Sequence, residues 1–148
     1  MLHQILTDLF ERDLGKLYVE IESYTDEADL WKVAGNITNP AGNLALHICG
    51  NLNHFVGATL GGTGYVRDRD AEFAAKHISR SEILAQIDST RSMIKSVISD
   101  LSDERLAETY PIEVFGSPMT TAWFLTHLTT HLTWHLGQIN YHRRWLAL

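Results

Sequence analysis

Apolar residues recur along this chain at helical rather than strand spacing. In the first segment Phe10, Leu14, Leu17, Ile21 and Tyr24 alternate steps of four and three, a packing seam that predicts an amphipathic helix over roughly residues 2 to 24. Asn39-Pro40 then supplies a capping side chain and a first-turn proline. Leu44, Ile48, Leu52, Phe55 and Thr59 mark one face of a second helix from Pro40 to about Leu60, and Gly61-Gly62 stops it. Ser79-Arg80-Ser81-Glu82 has the form of a capping box, followed by a stripe of Ile83, Ile87, Ile94, Val97 and Leu101 that ends near Ser102. Thr120 or Thr121 opens a fourth helix that runs almost to the C-terminus through Trp145 and Leu146. Trp123, Trp134 and Trp145 on this helix read as packing residues, because aromatic side chains at helical spacing are ordinary core material.

Two connections interrupt the pattern. Between the third and fourth helices, Tyr110, Ile112, Val114 and Phe115 favour extended backbone while Pro111, Gly116 and Pro118 break it, which predicts an irregular or short extended arm. Residues 61–75 form a second long connection with glycine and mixed charge, and loops of that length in a small domain are often functional or form interfaces. Within it, Arg67-Asp68-Arg69-Asp70 reads as a self-neutralising solvated loop. Four long helices with little strand predict an all-α four-helix bundle, a single domain over residues 1–148, each helix burying one stripe against its neighbours.

Charge and cysteine usage narrow the function. With 18 acidic against 12 basic residues the formal charge is -6, and the basic residues form no sustained run, so the electrostatic footprint of a nucleic-acid binder is missing. The first residues lack the basic and apolar regions of a signal peptide, and no apolar run is long enough to span a bilayer. The expectation is a soluble, cytoplasmic protein. Cys49 is the only cysteine, so neither an intramolecular disulfide nor a cysteine-based zinc motif can form. Any metal must be held mostly by histidine.

The fourth helix supplies such histidines. Phe124, Leu128, Leu132, Ile139 and Leu146 fall on one stripe, and His131 and His135 lie inside it. A buried imidazole needs partners for both ring nitrogens or costs about 1 to 3 kcal/mol, and one shared ion would serve both rings. A third ligand must come from another helix, and His47, flanking the apolar face of the second helix, is the best placed. Three histidines without an obvious fourth protein ligand leave an open coordination position, as in catalytic zinc sites. Gln138, three residues after His135, and Asn51, four after His47, are candidates to orient the ligand rings or bound water. Cys49 points away from His47 and is excluded. His54 and His142 lie too far along their helices to share the ion, and His127 falls on the flank with Trp134. Gly61-Gly62-Thr63-Gly64 lacks the lysine of a phosphate-binding loop and follows a helix, so no nucleotide is assigned to it.

Three stretches, Leu-Ala-Leu-His47-Ile-Cys-Gly-Asn-Leu-Asn-His-Phe, Tyr-Val-Arg-Asp-Arg-Asp-Ala-Glu-Phe and His131-Leu-Thr-Trp-His135-Leu-Gly-Gln138-Ile, together resemble the DinB-like (DinB/YfiT) superfamily of bacterial four-helix-bundle proteins, in a branch without assigned function. The resemblance covers nearly the whole chain. Carried over position by position, it implies His47, His131 and His135 as metal ligands. It further implies a divalent metal, zinc or nickel, and homodimers. The reactions of relatives include metal-dependent transfer of low-molecular-weight thiols to electrophiles, an isomerisation of a thiol adduct, and hydrolysis. The expected function is that of a metal-dependent thiol S-transferase or related detoxification enzyme acting on a small-molecule substrate. The alternative is a non-catalytic homodimeric metal- or ligand-binding module.

Overall fold

A computed structural model describes residues 1–147. Its long helices are α1 (Leu2–Glu22), α2 (Ala41–Leu52), α5 (Arg80–Ser99) and α7 (Thr121–Leu146). Short ones intervene: a 3-10 turn (Glu27–Trp31), α3 (Thr59–Gly61), α4 (Arg69–Ala74) and α6 (Asp103–Ala107). Between α2 and α3 the helix continues through a π-helical segment, Asn53–Ala58, so one rod runs from residue 41 to 61. The architecture is an all-α bundle. The arm between α6 and α7 is irregular, closed by a single antiparallel bridge from Thr109 to Thr120.

Local chemistry sets most helix ends. The Ser79 hydroxyl accepts from the Glu82 amide and the Thr120 hydroxyl from the Trp123 amide, satisfying donors that a helix start leaves unpaired. The second helix begins differently from the sequence expectation. Pro40 is itself the cap residue, at φ -72° and ψ 168°, and no side chain caps the first turn. The rod stops at Gly62, whose φ of 60° is a left-handed conformation that other residues adopt at a cost.

Phe10, Leu14, Leu17 and Ile21 of α1 meet Ile83, Ile87, Ile94 and Ile98 of α5 and Phe124, Leu128, Leu132 and Ile139 of α7 in one core. The second helix is unlike the other three, because every residue of α2 is buried. Trp31 of the 3-10 turn lies so close over Gly42 that an added Cβ would sit 2.9 Å from its ring. Another flank is covered by α4, a helix within the long connection of residues 61–75. The tryptophans of α7 are a second difference. Trp123, Trp134 and Trp145 are exposed, because they lie on the face turned from the core.

Candidate metal centre

Adjacent turns of α7 carry His131 and His135, and residues four apart on a helix project side by side. His47 reaches the same point from α2. Its Nε2 lies 3.3 Å from His131 Nε2, and His135 Nε2 lies 3.1 Å from that same atom. One ligand nitrogen from each ring falls within 4.8 Å of the others. For Zn–N bonds of about 2.0 to 2.1 Å, the edge of a regular tetrahedron is about 3.3 to 3.4 Å. The spacing therefore fits two edges of one coordination sphere.

The outer nitrogens decide what those inner nitrogens present. His47 Nδ1 is 3.1 Å from Glu72 Oε1, and the Glu72 carboxyl is held below the usual carboxylate range. Burial alone would raise it; the hydrogen bonds from His47 and Arg67 outweigh that push. An ionised carboxylate only accepts, so the 3.1 Å contact to Glu72 favours a proton on His47 Nδ1 over the longer 3.3 Å approach of the Arg67 Nη2 donor to that atom, and Nε2 is then left with its lone pair. His135 repeats the arrangement, with Nδ1 2.7 Å from Gln138 Oε1. Two lone pairs thus converge on His131 Nε2. A single proton there can bridge to only one of them, whereas one cation would answer all three at once.

Electrostatics favour the neutral rings that a metal requires. The His131 pKa is pushed down to about 4, chiefly by burial and then by the neighbouring His135 and His47. Burial also lowers the pKa of His135, partly countered by its bond to Gln138.

Glu72 reaches the site because the segment before it folds back. Asp68 caps α4 by accepting from the Ala71 amide. Asn43, one turn before His47, donates to the carbonyls of Glu72 and Ala75, both at 2.9 Å. Arg67 holds the carboxylate with two bonds of 2.9 Å, Nε to Oε2 and Nη2 to Oε1. Gly50 makes the room: a Cβ there would stand 1.9 Å from Glu72 Oε2. Asp68, Arg69 and Asp70 are exposed, as expected of a solvated run, but Arg67 is not and the last two residues are helical. Arg67 is turned inward and ion-paired, and Asp68 caps the helix.

Gln138 stands against the His135 ring, whereas Asn51 does not hold His47; Glu72 takes that place. Asn51 is buried one turn beyond His47, with its Oδ1 unpartnered. Sequence reasoning missed Glu72 and Arg67. The signal available for them was the polar stripe Asn43, His47, Asn51 at successive turns of an otherwise apolar helix, which needs a polar cover. The remaining histidines lie outside the cluster. His54 packs against Phe55, His127 stacks on Trp123, and His142 is buried between the Tyr24 hydroxyl and the Lys32 carbonyl, each at 2.8 Å. Cys49 is buried away from the triad, its thiol pushed up to about 12 by burial.

Among the described residues no helix is long and apolar enough to cross a membrane. No curated protein matches the chain. A family model does match, over residues 11–147 and therefore over nearly the whole bundle, and the chain belongs to the family described as Protein of unknown function (DUF1572).

Proposed function

We propose that the protein binds a divalent cation, zinc or nickel, through His47, His131 and His135, and uses it as a metal-dependent enzyme of DinB-like type, a thiol S-transferase or related detoxification enzyme. The observation that carries this reading is the convergence of three Nε2 atoms, two of them freed by bonds on the far side of their rings. Imidazole donors suit both metals. A cation held by three ligands with a free vertex lowers the pKa of a thiol or water that reaches it. The chain's own residues do the positioning. Glu72 fixes the ring plane and tautomer of His47, Arg67 keeps Glu72 ionised, and Gln138 fixes His135.

The test is elemental analysis of protein purified without a histidine tag, beside His131→Ala. The expected result is about one ion per chain, lost in the variant. Thiol consumption with a haloarene electrophile, run with zinc, nickel and manganese separately, then tests turnover. Protein that takes up no divalent metal, or a variant that keeps it, refutes the centre; metal uptake without turnover across several thiols refutes the enzyme.

One observation favours a second reading, a homodimeric module that holds the ion structurally or captures a small ligand without turnover. Both Glu72 oxygens are already committed to His47 and Arg67, so this carboxylate is not free to move a proton. The surface for a second copy would be the outer face of α7. Trp134 and Tyr141 are 69% and 74% exposed there, on either side of Gly137, where an added Cβ meets nothing. Two large aromatic knobs beside a gap fit a self-complementary contact. Light scattering of the protein and of Trp134→Glu measures it: a dimer that the variant splits is the expected outcome, and a wild-type monomer refutes it.

A further inference from the structure

A cavity of about 600 Å³ opens between residues 36–39 and the last turns of α7, and His135 is among the residues that line it. That volume lies within the ordinary range for small-molecule sites. Ile37, Leu44, Tyr141 and Trp145 give it apolar and aromatic walls, while Asn39 and Gln138 bring amides. Among the described residues no aspartate, glutamate, lysine or arginine lines it.

We propose that this cavity binds an uncharged, flat, largely apolar molecule bearing a carboxamide or similar neutral polar group, with its reactive end toward His135. The assignment rests on the metal-centre reading only for that last orientation.

Three features select the class. First, among the described residues the walls carry no charged side chain, so in the metal-free protein a charged ligand would lose water without a counter-ion among the lining groups. A cation gains little from Tyr141, because the Arg144 guanidinium already sits 5.6 Å from that ring centroid and would repel it. Second, the free hydrogen-bonding capacity is of amide type. Gln138 spends its Oε1 on His135 Nδ1, which leaves its NH₂ to donate to a ligand carbonyl. Third, His142 is not a polar partner. Its Nε2 is engaged by the Lys32 carbonyl and its Nδ1 by the Tyr24 hydroxyl, each at 2.8 Å, so neither ring nitrogen is free for a ligand. What remains is a slot between aromatic and aliphatic walls with neutral donors and acceptors at its rim.

Naphthalene-2-carboxamide is a suitable probe, with the isosteric naphthalene-2-carboxamidinium and naphthalene-2-carboxylate as charged controls. Binding is followed by tryptophan fluorescence and by ligand-observed NMR, on the full chain as purified and after chelation, with metal content measured on the same samples. The amide is expected to bind with a dissociation constant of about 1 mM or tighter. Both charged isosteres should bind at least tenfold more weakly to the chelated protein. Ile37→Trp, which fills the cavity from an exposed loop, should weaken the amide at least tenfold without changing metal content, and Thr38→Trp repeats the block from the next position. No amide binding, equal binding of either charged isostere to the chelated protein, or undiminished binding in both blocked variants overturns the assignment. Amide binding by protein that holds no metal supports the cavity and separates its fate from that of the metal centre.

Discussion

Gly50→Ala adds one methyl group on α2 where the Glu72 side chain of α4 lies against it, and the structure gives its effect a size. The new Cβ would lie 1.9 Å from Glu72 Oε2 and 2.5 Å from Glu72 Cδ, about 1 Å short of any separation that real Cβ atoms tolerate. Glu72 cannot swing aside freely, since Arg67 holds both oxygens at 2.9 Å. A retreat of about 1 Å stretches the 3.1 Å contact with His47 Nδ1 beyond hydrogen-bonding range. Loss of an outer partner to a ligand histidine costs about 10- to 100-fold in metal affinity, or about 1.4 to 2.7 kcal/mol. Disrupting the buried ion pair costs about 3 to 5 kcal/mol, against which alanine returns about 0.5 to 1 kcal/mol of helix propensity. The metal-free variant should therefore be less stable by about 2 to 4 kcal/mol. Urea unfolding gives the stability, and competition with a chromophoric chelator gives the affinity. The decisive comparison is a double-mutant cycle with Glu72→Ala, in which the clash is absent and Gly50→Ala should be neutral or slightly stabilising. A Gly50→Ala protein with undiminished stability and metal affinity, or one equally damaged in both backgrounds, would refute the argument.

Further outcomes follow from the same groups. His131 resists protonation in the fold until about pH 4, while the unfolded chain takes that proton near 6.5, so metal-free stability should fall as pH drops from about 6.5 to about 4. After discounting for the ring's partial exposure the loss is about 1 to 2 kcal/mol, with His135 adding in the same direction, and urea midpoints across that range should flatten in His131→Ala. Asn43→Ala removes two donors that fasten α4 to α2 and should cost about 1 to 3 kcal/mol while weakening metal binding, both read by the assays above. Cys49, buried and with its thiol pushed up to about 12, should be inert to an aromatic disulfide reagent at pH 8 until the protein is unfolded; rapid labelling of the native protein would contradict this.

The four long helices were legible because each writes its own period of 3.6 and two of them write their own caps, Ser79 and Thr120. His131 and His135 were legible for a related reason, since spacing along one helix fixes what lies side by side. His47 needed a second inference, that helices of a bundle face one another. Glu72 and Arg67 lay beyond both. Their segment is short, charged and without periodicity, and its position depends on contacts spread over 29 residues of chain, from Asn43 to the Glu72 carbonyl. Local charge balance made Arg67 look as solvated as the rest of the Arg67–Asp70 run; the buried acceptor that draws Arg67 inward is not itself a local feature of the run.

The polar stripe on α2 ties these pieces together. Asn43, His47 and Asn51 occupy successive turns of a helix with no exposed residue, so none can leave its polar atoms to solvent. Asn43 spends its amide NH₂ on fastening the returning chain, and His47 receives that chain's carboxylate. The segment that closes over α2 is therefore the same one that sets the tautomer of His47, and burial of the helix and preparation of the candidate site are a single event. If the coupling is real, hydrogen exchange at the amides of residues 69–74 should slow when metal binds, although none of those residues is a ligand. Unchanged exchange there on saturation with zinc or nickel would separate the two and reduce Glu72 to a packing contact.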